Sequence, residues 1–252
     1  MRKASVLPKI LVAIAVIILI GGGTVATILI INSQPDSDER TDISITRDHI
    51  ISLGDIEEII PKPTPTPYNT TTPFTINDII IVNKKHPLPQ SYSPGENPEA
   101  SAQLRALITA GRAAGVDIIF SWSGFRSYDT QANLFNSYAA EFGVANAETF
   151  SARPGYSEHQ TGLAFDLISS SGQLYRVSDN TYDYNTDWVA QNAAEFGFIV
   201  RYRSDWQSIT GFIGEPWHLR YLGVDLAKQV FASNLPLETF LKFEGGDYSP
   251  QS

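Results

Sequence analysis

Two short stretches of the chain each pair a histidine with a carboxylate. The first is Ser157-Glu158-His159-Gln160-Thr161-Gly162-Leu163-Ala164-Phe165-Asp166 and the second is Glu215-Pro216-Trp217-His218-Leu219-Arg220. The sequence holds no cysteine. Disulfides, thiolate zinc sites and a cysteine nucleophile are therefore excluded, and histidine, aspartate and glutamate are the strong metal ligands that remain. A catalytic zinc site takes about three protein ligands with nitrogen or oxygen donors and keeps a further position for water. His159, Asp166 and His218 meet that requirement, which leaves Glu215 over. A carboxylate near the metal but not on it suits hydrolysis, because zinc brings its bound water to a pKa of about 7 and a general base must take the proton. Glu215 is the candidate for that base. Of the other two histidines, His49 sits in an acidic stretch, and His86 precedes Pro87 in a segment that reads as a turn.

These residues need separate elements to bring them together. His159 and Asp166 are too far apart for one helical turn, so a loop entering a strand must join them. Gly162 to Leu167 reads as that strand, with Ala164 and Asp166 on one face, and Trp217 to Tyr221 reads as another. Around them a compact mixed domain is expected from Ile76 onward. Leu104, Leu107 and Ile108 fall at helical spacing before Val116-Asp117-Ile118-Ile119-Phe120, which reads as a strand. Ser127 is placed to cap a helix carrying Leu134, Phe135 and Tyr138. Thr186 is placed to cap one carrying Trp188, Val189, Asn192, Ala193 and Phe196, which Gly197 ends. No internal repeat is present.

Residues 10–31 form an almost unbroken apolar run preceded by Arg2, Lys3 and Lys9. About twenty such residues match the hydrocarbon thickness of a bilayer, so a single transmembrane helix is expected, with residues 1–9 cytoplasmic and the rest outside the cell. A cleaved signal peptide is the competing reading, since Thr24-Val25-Ala26 offers small residues, but the apolar run continues past them. Residues 32–75 read as an extracytoplasmic stalk that is acidic and rich in proline and threonine. Between Ser33 and Thr75 eight acidic residues stand against three basic ones, a net −5 out of the chain's formal −9. With that sign of charge there is no general attraction to nucleic acid.

The motifs resemble the D-alanyl-D-alanine carboxypeptidases of the VanY type, relatives of the lysostaphin and hedgehog metal-binding fold. The resemblance covers residues 76–243, with 244–252 as a tail. It rests on Val82-Asn83-Lys84-Lys85-His86-Pro87-Leu88-Pro89, on Ser123-Gly124-Phe125-Arg126-Ser127, on Ser151-Ala152-Arg153-Pro154-Gly155-Tyr156-Ser157-Glu158-His159-Gln160-Thr161-Gly162 with Asp166, and on Glu215-Pro216-Trp217-His218. It implies an α+β fold with a small, mainly antiparallel sheet flanked by helices. It implies one zinc ion per chain on His159, Asp166 and His218, with Glu215 as base. Arg126 is the residue expected to grip a substrate carboxylate, with its planar fork. Phe125 stands where tyrosine is common in the family. Gln131, one helical turn onward, is expected to help orient the same group, and Ser151 and Arg153 to line the cleft. The expected activity is removal of C-terminal D-alanine from peptidoglycan stem peptides. An endopeptidase cutting cross-bridges, which has no terminal carboxylate to recognise, and a non-catalytic wall-binding module that keeps its metal are the other readings.

Overall fold

The computed structural model describes residues 71–175 and 183–249. The expected transmembrane helix and nearly all of the stalk lie outside them. Among the described residues no helix is long and apolar enough to cross a membrane.

The domain opens with a two-stranded hairpin, β1 (Thr75–Ile76) and β2 (Ile79–Ile80), turned through Asn77 and Asp78 at positive φ. Helix α1 (Pro98–Ala113) follows. Asn97 caps it by accepting from the Ala100 amide at 2.9 Å, and proline occupies the first turn, where its missing N–H costs nothing. Leu104, Leu107 and Ile108 are buried on one face, as their spacing predicts. The segment expected to form a strand at 116–120 does not. Gly115 turns the chain at positive φ, the Ile118 amide folds back onto the Val116 carbonyl, and only Ile119 reaches the sheet edge, donating to the Ile168 carbonyl at 2.9 Å. Ile118 is buried in the core nonetheless. The strand forms later, as β3 (Trp122–Ser123).

Ser127 caps α2 (Tyr128–Phe142) through the Thr130 amide, and a single turn, α3 (Val144–Ala147), packs beside its end. A 3-10 turn (Glu158–Thr161) leads into β4 (Ala164–Leu167). Helix α4 (Trp188–Asn192) starts at Asp187, not at Thr186: the Asp187 carboxylate accepts from the Ala190 amide at 2.8 Å. Aspartate caps at least as well as threonine. The helix runs into a 3-10 turn that ends at Gly197 in the left-handed conformation. Then come β5 (Phe198–Tyr202), the short α5 (Gln207–Thr210), β6 (Glu215–Tyr221), α6 (Val224–Ser233) and α7 (Leu237–Leu241).

Strands β3, β4, β6 and β5 pair in that order as one antiparallel sheet. Its apolar face carries Phe165, Leu167, Val200 and Leu219 against α1 and α4 in the main core. A second cluster under α6 and α7 takes Ile199, Ala227, Val230 and Leu237. Residues 244–249, within the expected 244–252 tail, pack back on the domain: the Tyr248 hydroxyl accepts from the Arg153 amide at 2.8 Å, and Lys84 Nζ meets Asp247 at 2.9 Å.

Candidate metal centre

The polar face of the sheet is built by register. Ser123 pairs with Asp166, and Asp166 pairs with His218, so three adjacent strands place these side chains in one row. His159 arrives from the 3-10 turn just before β4. That turn is capped by Ser157, which accepts from the His159 amide, and it closes at Gly162 in the left-handed region. A Cβ at Gly162 would also collide with the Gly95 backbone, so glycine is required there on both counts.

Donor atoms of His159, Asp166 and His218 lie within 4.8 Å of one another, and all three residues are buried. His159 Nε2 is 3.2 Å from Asp166 Oδ2, and His218 Nδ1 is 3.1 Å from Asp166 Oδ1. The outer nitrogens are engaged as well: His159 Nδ1 donates to the Gly124 carbonyl at 2.8 Å and His218 Nε2 lies 3.2 Å from Glu158 Oε2. Two inward imidazole nitrogens, each ring braced from behind, and a carboxylate form a set that suits a divalent zinc ion.

Burial penalises every charge here, and the neighbours decide the outcome. Burial would raise the Asp166 carboxyl, but His159 and the hydrogen bonds from both rings outweigh it and hold it well below the usual carboxylate range. Burial lowers His159, with Asp166 only partly opposing it. His218 is also disfavoured as a cation by burial, yet hydrogen bonds to Asp166 and Glu158 push it up to about 9. Glu215 is raised to about 8, chiefly by burial and further by Asp166, against the pull of His218. Its Oε2 is 3.9 Å from His218 Nδ1. A carboxyl beside a metal position, close to it without being one of its ligands, is placed to take and return a proton.

Glu215 and His218 are three residues apart, and in a regular strand they would point to opposite faces. The ladder between β5 and β6 slips between Val200 and Tyr202, so that Tyr202 pairs with Glu215. Such an irregularity re-aims side chains, and it brings the carboxylate beside the histidine.

These groups open into a cleft of about 410 Å³ whose wall also holds Arg126, Gln131 and Ser151. Arg126 Nη1 donates to Gln131 Oε1 at 2.8 Å, Nη2 donates to Ser123 Oγ at 3.2 Å, and Nη2 is 3.6 Å from Asp166 Oδ2. Gln131 in turn donates to the Ala152 carbonyl at 2.7 Å and to Ser151 Oγ at 3.3 Å. Gln131 thus bonds Arg126 directly, and Ser151 reaches it only through Gln131. Arg153 is not on the cleft wall. Its guanidinium pairs with Glu148 and lies over the Tyr248 ring, 4.2 Å from its centre. Trp217 stands on the wall, packed partly against the main core. His86 makes the expected turn, its amide donating to Asn83 Oδ1 at 3.0 Å, and stacks on Phe74.

Sequence reading missed Glu158, which is buried against Arg201, Arg220 and His218. The signal was its place beside His159, but nothing local names its partners.

A family model described as VanY, D-alanyl-D-alanine carboxypeptidase, matches residues 95–224. A D-alanyl-D-alanine carboxypeptidase of Enterococcus faecalis is 36% identical over an alignment of 184 residues that covers 66% of this chain and 66% of that protein; the chain spans about two thirds of that relative's length. The solved L,D-carboxypeptidase DacB of Streptococcus pneumoniae shares 49% identity at a TM-score of 0.63, covering 68% of this chain and 90% of DacB. A mutant of the vancomycin-resistance D,D-pentapeptidase VanY, solved in complex with Zn(II), shares 36% identity at a TM-score of 0.54, covering 64% of this chain and 97% of that one.

Proposed function

Because the chain belongs to the VanY family of D-alanyl-D-alanine carboxypeptidases, we propose that it removes the C-terminal D-alanine of peptidoglycan stem peptides, with the L,D bond of tetrapeptide stems as its preferred target. The family reading makes it a zinc-dependent hydrolase. Support for the L,D preference is the 49% identity to an L,D-carboxypeptidase, against 36% to each of the D,D relatives described above. The observation that carries the reaction is the meeting of His159, Asp166 and His218 with a free Glu215 in a cleft that also presents Arg126.

Zinc, when bound by His159, Asp166 and His218, supplies a Lewis acid and an activated water. Glu215 accepts the proton of the attacking water and hands it to the leaving amine as the C–N bond breaks and a C–O bond forms. The products are a stem shortened by one residue, ending in a carboxylate, and free D-alanine. Arg126 holds the terminal carboxylate of the substrate by two parallel hydrogen bonds, its fork kept in place by Gln131 and Ser123. The catalytic domain works outside the cell, tethered to the membrane through residues 10–31; the support for this is the apolar run and its basic flank.

The test is mass spectrometry of tetrapeptide and pentapeptide stems incubated with the zinc-loaded full-length chain. Loss of one D-alanine, faster from tetrapeptide, is expected, and Glu215→Gln slows it by a factor on the order of 10²–10⁴ while zinc stays bound. No release from either stem, with Glu215→Gln indistinguishable from the wild type, rejects the carboxypeptidase reading.

A further inference from the structure

Against His218 lies a buried group of charges, of which Glu158 also borders the cleft. Glu158, Arg201, Arg220 and Glu238 are each 2% exposed or less. Glu158 Oε1 accepts from Arg201 Nε at 2.9 Å and from Arg220 Nη1 at 3.1 Å, while Glu158 Oε2 faces His218 Nε2 at 3.2 Å. Arg201 also forks onto Glu238, Nη1 to Oε2 at 2.9 Å and Nη2 to Oε1 at 2.5 Å. Arg220 Nη2 donates to the Ile80 carbonyl at 2.6 Å. Two carboxylates thus balance two guanidiniums, and a buried ion cluster is tolerable only when its charges are matched and their hydrogen bonds filled.

The atoms divide the work unequally. A guanidinium can only donate, so both arginines need an acceptor at Oε1, and they find it. Oε2 is left as an acceptor aimed at His218, and an imidazole nitrogen answers it only by carrying the hydrogen. We propose that Glu158 is a positioning residue: with its Oε1 fixed by Arg201 and Arg220, its Oε2 keeps the His218 hydrogen on Nε2 and so directs the Nδ1 lone pair to the metal. The same 3-10 turn then serves both histidines, carrying His159 as a ligand and Glu158 as the brace of the other. This inference rests on the zinc-peptidase reading above.

Glu158→Gln makes a near-isosteric test. The arginines hold the amide oxygen at the Oε1 position, which leaves the NH2 group facing His218 Nε2, donor against donor. His218 relieves this by moving its hydrogen to Nδ1, toward the metal position. The expected result is a loss of zinc affinity of about 10–100-fold, the size found when groups that orient metal ligands are removed, measured by competition with a chromophoric chelator. Glu238→Gln is the control, since it weakens the same cluster without touching the histidine. It is expected to lower the denaturation midpoint and leave zinc affinity unchanged.

Equal zinc affinity in Glu158→Gln and the wild type overturns the proposal. So does an equal loss of affinity in both variants, which is what a merely structural cluster predicts. Should Glu158→Gln fail to fold, NMR of the zinc-loaded wild type with isotope-labelled histidine decides. A hydrogen on His218 Nε2 with Nδ1 at the metal supports the assignment, and the reverse overturns it. A wild-type chain that takes up no zinc overturns the zinc-peptidase reading and this inference together, whereas zinc-loaded, active wild type with an insensitive Glu158→Gln overturns this inference alone.

Discussion

The two faces of the four-stranded sheet are made from the same strands and do opposite things. On β4, Phe165 and Leu167 enter the main core while Asp166, between them, faces the metal position; on β6, Leu219 joins that core while His218 and Arg220 belong to the polar side. The apolar face stabilises: a fully buried phenylalanine or leucine contributes roughly 1.5–3 kcal/mol. The polar face costs free energy, since each buried ion loses several kcal/mol of solvation before its partners return any of it. The fold therefore carries its chemistry on a surface that α1, α4 and the main core underwrite from behind. Strands that are buried on both sides let one row of side chains be held rigid by the other.

Substitutions on the two faces should accordingly separate function from stability. The largest effect is expected from His159→Ala, which removes one of three ligands: zinc content measured after dialysis falls from one per chain to none and turnover is lost, while the denaturation midpoint of the metal-free protein moves little. Equal zinc content in this variant and the wild type breaks the ligand assignment and, with it, the contrast between the faces. Next comes Phe165→Ala, on the other side of the same strand. It leaves a cavity where nothing polar is disturbed, so equilibrium unfolding should show a loss of about 3–5 kcal/mol, with zinc affinity of the folded protein unchanged. A loss of zinc affinity without a loss of stability there contradicts the division. The smallest effect, and the one that sharpens the picture of the cleft, is Arg126→Lys. A point charge replaces a fork, and KM for a tetrapeptide stem should rise on the order of tenfold, as hydrogen bonds to charged groups are worth roughly 1.5–3 kcal/mol. An unchanged KM points instead to an endopeptidase, which grips no terminal carboxylate.

How much of this was legible beforehand differs from residue to residue. The helix at Leu104, Leu107 and Ile108, the cap at Ser127 and the strands around Asp166 and His218 follow from local rules of spacing and capping, and the structure has them. The stretch at 116–120 has strand composition but lacks a partner along its length, meeting the sheet only at Ile119. Pairing is a property of two segments, and a pattern read along one of them cannot supply the second. Ser151 and Arg153 looked alike as neighbours of the motif, yet Ser151 lines the cleft and bonds Gln131 while Arg153 pairs with Glu148 and lies over the Tyr248 ring.

By itself the sequence determined the donor set: without cysteine, the two histidine and carboxylate motifs had to carry any metal chemistry, and their residues name the family. Only the tertiary structure decided how they meet. The pairing of Asp166 with His218 across β4 and β6, the slip that turns Glu215 toward His218, and the burial of Glu158 between two arginines all depend on segments far apart in the chain. Residue type is written at each position, whereas register, burial and the charge that faces a side chain come into being when distant segments pack together.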